Sequence, residues 1–258
     1  MTWPAKEDIL DLRRSHLAPS LSISYKEPLH IVRGAGQYLY DAQGREYLDG
    51  VNNIQHVGHC HPAVVKAAQE QYEKLNTNTR YLDDTIVQYA RELTSRLPKG
   101  LDVCYFTNSG SESNDLALRL ARHFTKSKET IVLDDAYHGH TGALIEISPY
   151  KFEGPGGSGA PDFVHAIPRP DPFRGKYRGP ESATDYLSEV EEILNHIQKE
   201  GRRLATFVAE PLMGCGGQVV FPEGFLKGAF KQVRQAGGLC IADEVQIGFG
   251  RMGSHFWG

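Results

Sequence analysis

Four short apolar runs limit how this chain can fold: VCYF at 103–106, TIVL at 130–133, LATFVA at 204–209 and LCIA at 239–242. None shows the polar–apolar alternation of a half-solvated strand, so each reads as a strand buried on both faces. Between the runs lie helical patterns. NDLALRLARHF sets Leu116, Leu120 and Phe124 on one side, and ATDYLSEVEEILNHIQKEG closes near Gly201. Strands and helices in this order predict an α/β fold with a mostly parallel sheet and helices on both faces. Such sheets bind ligands at the carboxyl ends of their strands. The polar residues that follow the runs are therefore the candidate site: TNSGSES, AYHGH, EPLMG and DEVQ.

The rest of the chain reads less regularly. The opening is polar and expected to be irregular to about Pro28, and QYLYDAQGREYLDG reads as a β-hairpin turning at Gly44. PAVVKAAQEQYEKL is a helix with Val65, Ala68, Tyr72 and Leu75 on one face, and DDTIVQYARELTSRL another, capped by Asp83 or Asp84. A helix is expected after Gly139, a loop from Phe152 to Gly179, and a helix in PEGFLKGAFKQVRQAGG. Residues 1–55 are expected to form an N-terminal segment belonging to a second, small domain, and 56–258 the large domain.

Composition removes several function classes. A net charge of -4 supplies no field to recruit nucleic acid or an anionic membrane surface. No apolar run approaches the ~20 residues needed to span a bilayer. The first residues lack an apolar core and carry Glu7, Asp8 and Asp11, so neither a secretory signal nor a transit peptide is expected. The expected compartment is the cytoplasm or mitochondrion. Cys60, Cys104, Cys215 and Cys240 form no CxxC pair and are expected as buried thiols in a reducing compartment.

Ser109, Gly110 and Ser111 precede a helix that begins near Glu112. Backbone N–H groups and hydroxyls there can bind an anion, and Gly110 lets the backbone approach a phosphate. A serine helix cap needs the same residues, so both readings stand. A Walker A loop is excluded, because no Gly-Lys-Ser/Thr follows, and no G-x-G-x-x-G follows the first strand. Asp243 ends an apolar run and needs a partner, either a cap or ion pair or the N–H of a protonated ring. A charge pair at ~4 Å in an effective dielectric of about 20 is worth about 4 kcal/mol, roughly three pK units. That suffices to keep a pyridine nitrogen protonated at neutral pH. Tyr137, with His138 beside it, can stack on a planar ligand, and Val245 can pack on the opposite face. Gln246 can bond a phenolic oxygen on that ring, and Glu210 can screen or gate a substrate group. His56, His59, Cys60 and His61 look like metal ligands, but their i,i+2 spacing is broken by Pro62 and no second group lies near. No metal is expected.

Together these residues resemble the class-III aminotransferases, fold-type I enzymes that use pyridoxal 5'-phosphate. The likeness runs through YLYDAQGREYLDG, GHCHPAVVKA, YFTNSGSESNDLALRLAR, YHGHT and IADEVQIGFGRMG, nearly the whole chain. It implies that Gly110 and Ser111 cup the phosphate, Tyr137 stacks on the ring, and Asp243 bonds the pyridine nitrogen. Val245 and Gln246 would complete the pocket, and Glu210 corresponds to the family's pocket glutamate. NNIQHVGHCHP, LNTNTRYL and LIEISPYKF look most like phospho-lyases acting on phosphoethanolamine or 5-phosphohydroxylysine. EPLMGCGGQVVFPEGFLK and GFGRMGSHFWG look as much like alanine–glyoxylate-type aminotransferases. The preferred expectation is elimination of phosphate from a phosphorylated amine, giving aldehyde, ammonia and phosphate, with transamination as the alternative.

The family's Schiff-base lysine follows the aspartate by a few tens of residues, whereas no lysine follows Lys231 here. The chain is therefore expected to be truncated and inactive alone, or else a non-catalytic cofactor-binding fragment. By resemblance, the full-length protein is expected to be a homodimer or higher homo-oligomer acting on a small-molecule amine.

Overall fold

The computed structural model describes residues 3–52 and 56–258, which fall into two compact units, Met1–Asp83 and Asp84–Gly258. The domain boundary expected between residues 55 and 56 abuts residues 53–55, which lie outside the described residues.

The first unit holds α1 (Lys6–His16), β1 (Ile31–Ala35), β2 (Tyr38–Asp41), β3 (Glu46–Leu48) and α2 (Pro62–Lys74). The expected hairpin is β2–β3, with Tyr38 opposite Leu48 and Leu39 opposite Tyr47. Its turn is organised by Asp41, which accepts from the Gln43 N–H at 3.0 Å, Arg45 Nε at 2.7 Å and the Tyr47 hydroxyl at 2.8 Å. These donors hold its carboxyl down at about 2, although burial acts the other way. One element departs from the expected irregular opening. Helix α1 forms with Glu7 and Asp8 in its first turn and Arg13, Arg14 and His16 in its last, charges that suit the helix dipole. Strand β1 pairs antiparallel with β2. His59, weighed as a metal ligand, instead bonds Asp49 through Nε2 at 2.6 Å.

The second unit begins with α3 (Asp84–Thr94) and α4 (Gly110–Thr125). It continues through β4 (Glu129–Leu133), α5 (Gly142–Ile145), α6 (Pro149–Phe152), β5 (Val164–Ile167), α7 (Ala183–Lys199), β6 (Leu204–Ala209), α8 (Phe225–Gln235) and β7 (Leu239–Ala242). The sheet runs β5-β4-β6-β7 and every pair is parallel. Alternate residues of the buried strands face two helical layers. Ile131, Leu133 and Phe207 pack with Tyr186 and Val190 of α7 and Phe225 and Ala229 of α8. Val132 and Val208 pack with Leu118 of α4, Leu144 of α5 and Phe152 of α6. Both faces being covered is why these strands are continuously apolar.

Four expectations need correction. β5 lies in the stretch expected to be loop; it spans four residues, too few to stand out among the surrounding glycines and prolines. Residues 103–106 form no ladder, and Val103 and Tyr105 are 78% and 68% exposed, because no described strand offers them an edge. The helix after Gly139 is two single turns, α5 and α6, separated before Pro149. All four cysteines are free thiols, but Cys60 and Cys215 are exposed, each in a loop outside the sheet.

Phe207 has no exposed surface and sits where β6 meets α8, its ring 5.8 Å from that of Phe230. Phe207→Ala is expected to cost about 3–5 kcal/mol in equilibrium denaturation. A loss below about 1 kcal/mol would contradict this packing.

Candidate functional site

The ends of β4, β6 and β7 and the start of α4 converge on one cavity. It is lined by Ser109, Gly110, Ser111, Tyr137, His138, Glu210, Asp243, Val245 and Gln246, all the residues expected from sequence to hold the cofactor or face the substrate. Asn114, Gly139 and Cys215 line it too.

The start of α4 keeps both of its possible roles. Ser109 is the N-cap, its hydroxyl accepting from the Glu112 N–H at 3.1 Å, while Glu112 reaches back to the Asn108 N–H at 2.6 Å. Local capping therefore engages Ser109, whereas Ser111 turns to His140, its hydroxyl accepting from that residue's N–H at 3.3 Å. Gly110 is required by close approach: a Cβ there would stand 2.6 Å from Val245 Cγ2. Gly139 is required by its backbone, with φ at +137° and Leu144 Cδ1 2.5 Å from where a Cβ would sit.

Asp243 is the centre of the arrangement. It is 4% exposed, and its Oδ2 receives Asn114 Nδ2 at 2.8 Å and lies 2.9 Å from His138 Nδ1. Its Oδ1 accepts from the Val245 N–H at 3.1 Å. A carboxylate oxygen can accept twice, so Oδ1 keeps capacity for another donor. His138 is held in turn: its N–H donates to Ser148 Oγ at 3.0 Å and its carbonyl accepts from Asn114 at 3.0 Å. Its imidazole thus backs Asp243.

Glu210 is 3% exposed, and its Oε2 accepts from the Gly214 N–H at 3.0 Å. Burial pushes this carboxyl above its usual range, with the Asp243 charge adding to the effect. Two buried atoms of the cavity residues, Glu210 Oε1 and His138 Nε2, have no protein partner. Cys215 is exposed as a residue, but burial raises its thiol, reinforced by Glu210 and Asp243. Tyr137 meets Tyr150 edge-on at 6.0 Å. Val245 is 61% exposed and offers an apolar face. The cavity therefore suits a ligand with a flat ring, an N–H for Asp243 and an anionic group near the serines.

The class-III aminotransferase family model matches residues 22–257. The chain belongs to the class-III aminotransferase family. It is 50% identical to an alanine–glyoxylate aminotransferase 2-like protein of Drosophila melanogaster over 98% of this chain and 52% of that relative. It is 43% identical to ethanolamine-phosphate phospho-lyase homolog 1 of Caenorhabditis elegans, over 98% of this chain and 56% of that one. Among solved structures it is similar to a phospholyase from Arthrobacter in complex with phosphoethanolamine. That match has a TM-score of 0.88 and 39% identity, over 97% of this chain and 59% of the other. The chain spans about half the length of the curated relatives it matches. The family's cofactor is pyridoxal phosphate, and the donor set around Asp243, with its uncommitted Oδ1 capacity, fits such a ring.

Asn114 and Cys215 escaped the sequence reading. Asn114 sits one turn into α4, and only the fold reveals that it faces Asp243. Cys215 follows Glu210 in the loop after β6, a position the strand-end rule could have included.

Two outcomes test this geometry. Asn114→Ala removes a donor from Asp243 and is expected to lower stability by about 2 kcal/mol in denaturant titrations; no loss would contradict the bond. Asp134, at the end of β4, has its carboxyl pushed up to about 6, first by burial and then by the Glu153 and Asp135 charges. Because the folded value lies above the unfolded one, this group's stability contribution is intact in acid and lost as pH rises through about 6. Asp134→Asn should therefore raise the melting temperature at pH 8 and leave it unchanged at pH 3.5. An equal change at both pH values would contradict this.

Proposed function

We propose that this cavity binds pyridoxal phosphate and that the complete protein acts on a primary amine, with elimination of phosphate from a phosphorylated amine as the narrower reading. The observation that carries the proposal is Asp243, buried among Asn114, His138 and the Val245 N–H with acceptor capacity left on Oδ1. Bound there, the cofactor supplies an electron sink for negative charge developing beside the substrate nitrogen.

The chain's own residues set the conditions. Asp243 would accept the ring N–H and keep that proton in place. His138 and Asn114 orient the carboxylate from behind. Ser111 and the N–H groups at the start of α4 would receive the phosphate, and Gly110 permits the close approach. Tyr137 and Val245 would confine the ring from its two faces, and Gln246 would bond its phenolic oxygen. Glu210, with Oε1 uncommitted, can face the substrate amine. Similarity to the phospho-lyase homolog and to the phospholyase structure supports elimination. The 50% identity to the aminotransferase 2-like protein supports transamination as the second reading. By resemblance to the family, the complete protein would assemble as a homodimer or higher homo-oligomer.

Equilibrium dialysis against pyridoxal phosphate tests the cofactor reading. The chain is expected to bind it, and Asp243→Ala to weaken binding at least about tenfold. Undiminished affinity in the variant would refute the proposal. In the complete protein, phosphate release without any keto-acid acceptor marks the lyase; dependence on pyruvate or glyoxylate marks the transaminase.

A further inference from the structure

The cavity places two carboxylates, Glu210 and Asp243, in its buried wall, and a cation stands beside it on α6. Lys151 Nζ lies 5.6 Å from the centroid of the Tyr137 ring and 5.3 Å from that of Tyr150. Its position follows from the loop that builds the site. The Tyr150 N–H donates to the Ala136 carbonyl at 3.2 Å, and Ser148 Oγ receives the His138 N–H at 3.0 Å. The turn bearing Lys151 is thus tied on both sides to Ala136–His138. Nearby cations are engaged elsewhere: Arg169 pairs with Asp135 and Lys176 with Glu189. Lys151 enters none of the ion pairs found among the described residues. Its charge also reaches the cavity, since it counteracts the rise in the thiol of Cys215.

We propose that Lys151 is the specificity-determining cation of this site, receiving the anionic far end of an aminoalkyl phosphate whose amine faces Glu210. The assignment rests on the amine-substrate reading above. The site's charges run from negative in the buried wall to positive outside, the reverse of an aminoalkyl phosphate entering amine first. A phosphate monoester carries about -1.5 to -2 charges at neutral pH, and an ammonium on a flexible stem is a common partner for it. Two aromatic faces hold that ammonium without neutralising it.

The test measures binding of phosphoethanolamine and of ethanolamine to the pyridoxal-phosphate-loaded protein and its Lys151→Gln and Lys151→Arg variants. Lys151→Gln should weaken phosphoethanolamine roughly tenfold and move ethanolamine less than about twofold, and Lys151→Arg should restore most of the loss. Equal phosphoethanolamine affinity in wild type and Lys151→Gln overturns the assignment. Parallel loss of both amines also overturns it, because that marks a lysine needed only for structure. If wild-type protein takes up no pyridoxal phosphate, the amine reading falls and takes this assignment with it.

Discussion

A carboxylate removed from water must find donors, and Asp243 finds them on distant parts of the chain. Asn114 comes from α4 and His138 from the loop after β4, while Asp243 itself follows β7. These bonds join residues 129 and 105 positions apart. Breaking them would strand a charge in the interior, a cost that fixes how the three elements meet. The Asp243 N–H donates to the Ala209 carbonyl at 2.9 Å, which brings in the end of β6. The serines, Tyr137, Glu210 and Val245 are brought together because the helix start and the strand ends that carry them are gathered around this one acid.

Electrostatic asymmetry follows from the same construction. Two carboxylates face one cavity, and burial makes Glu210 costly to hold in the charged form. A ligand bearing an N–H or ammonium group relieves that cost, and Glu210 retains an oxygen without a partner. The loop that follows Glu210 is braced from outside, where Arg169 joins Asp135 to the Gly216 carbonyl. Rigid support of this kind keeps first-contact groups in place without making them part of the chemistry.

The sequence made the buried strands legible because Ile131, Leu133, Phe207 and Val208 are covered on both faces, which leaves an unbroken apolar run. It made DEVQ legible because an acid ending a buried strand needs a partner, whereas SGSE serves as the cap of α4 as well as lining the cavity. Strand β5 left no such mark: four residues between prolines owe their conformation to pairing with β4. Helix α1 has no buried residue, so its signal lay in end charges and not in apolar periodicity. The apolar run at 103–106 shows the converse, since apolar character alone makes no strand where no described edge receives it. Asn114 could not be assigned because a polar residue inside a helix acquires meaning only from what the fold places opposite it.

The proposed function requires Asp243 to sustain positive charge on a bound ring. The most direct measurement is the nitrogen-15 resonance of isotopically labelled pyridoxal phosphate bound to this protein, followed from pH 6 to 8.5. The protonated-pyridine position is expected throughout that range. A neutral-pyridine resonance at pH 7 in the bound cofactor would contradict it.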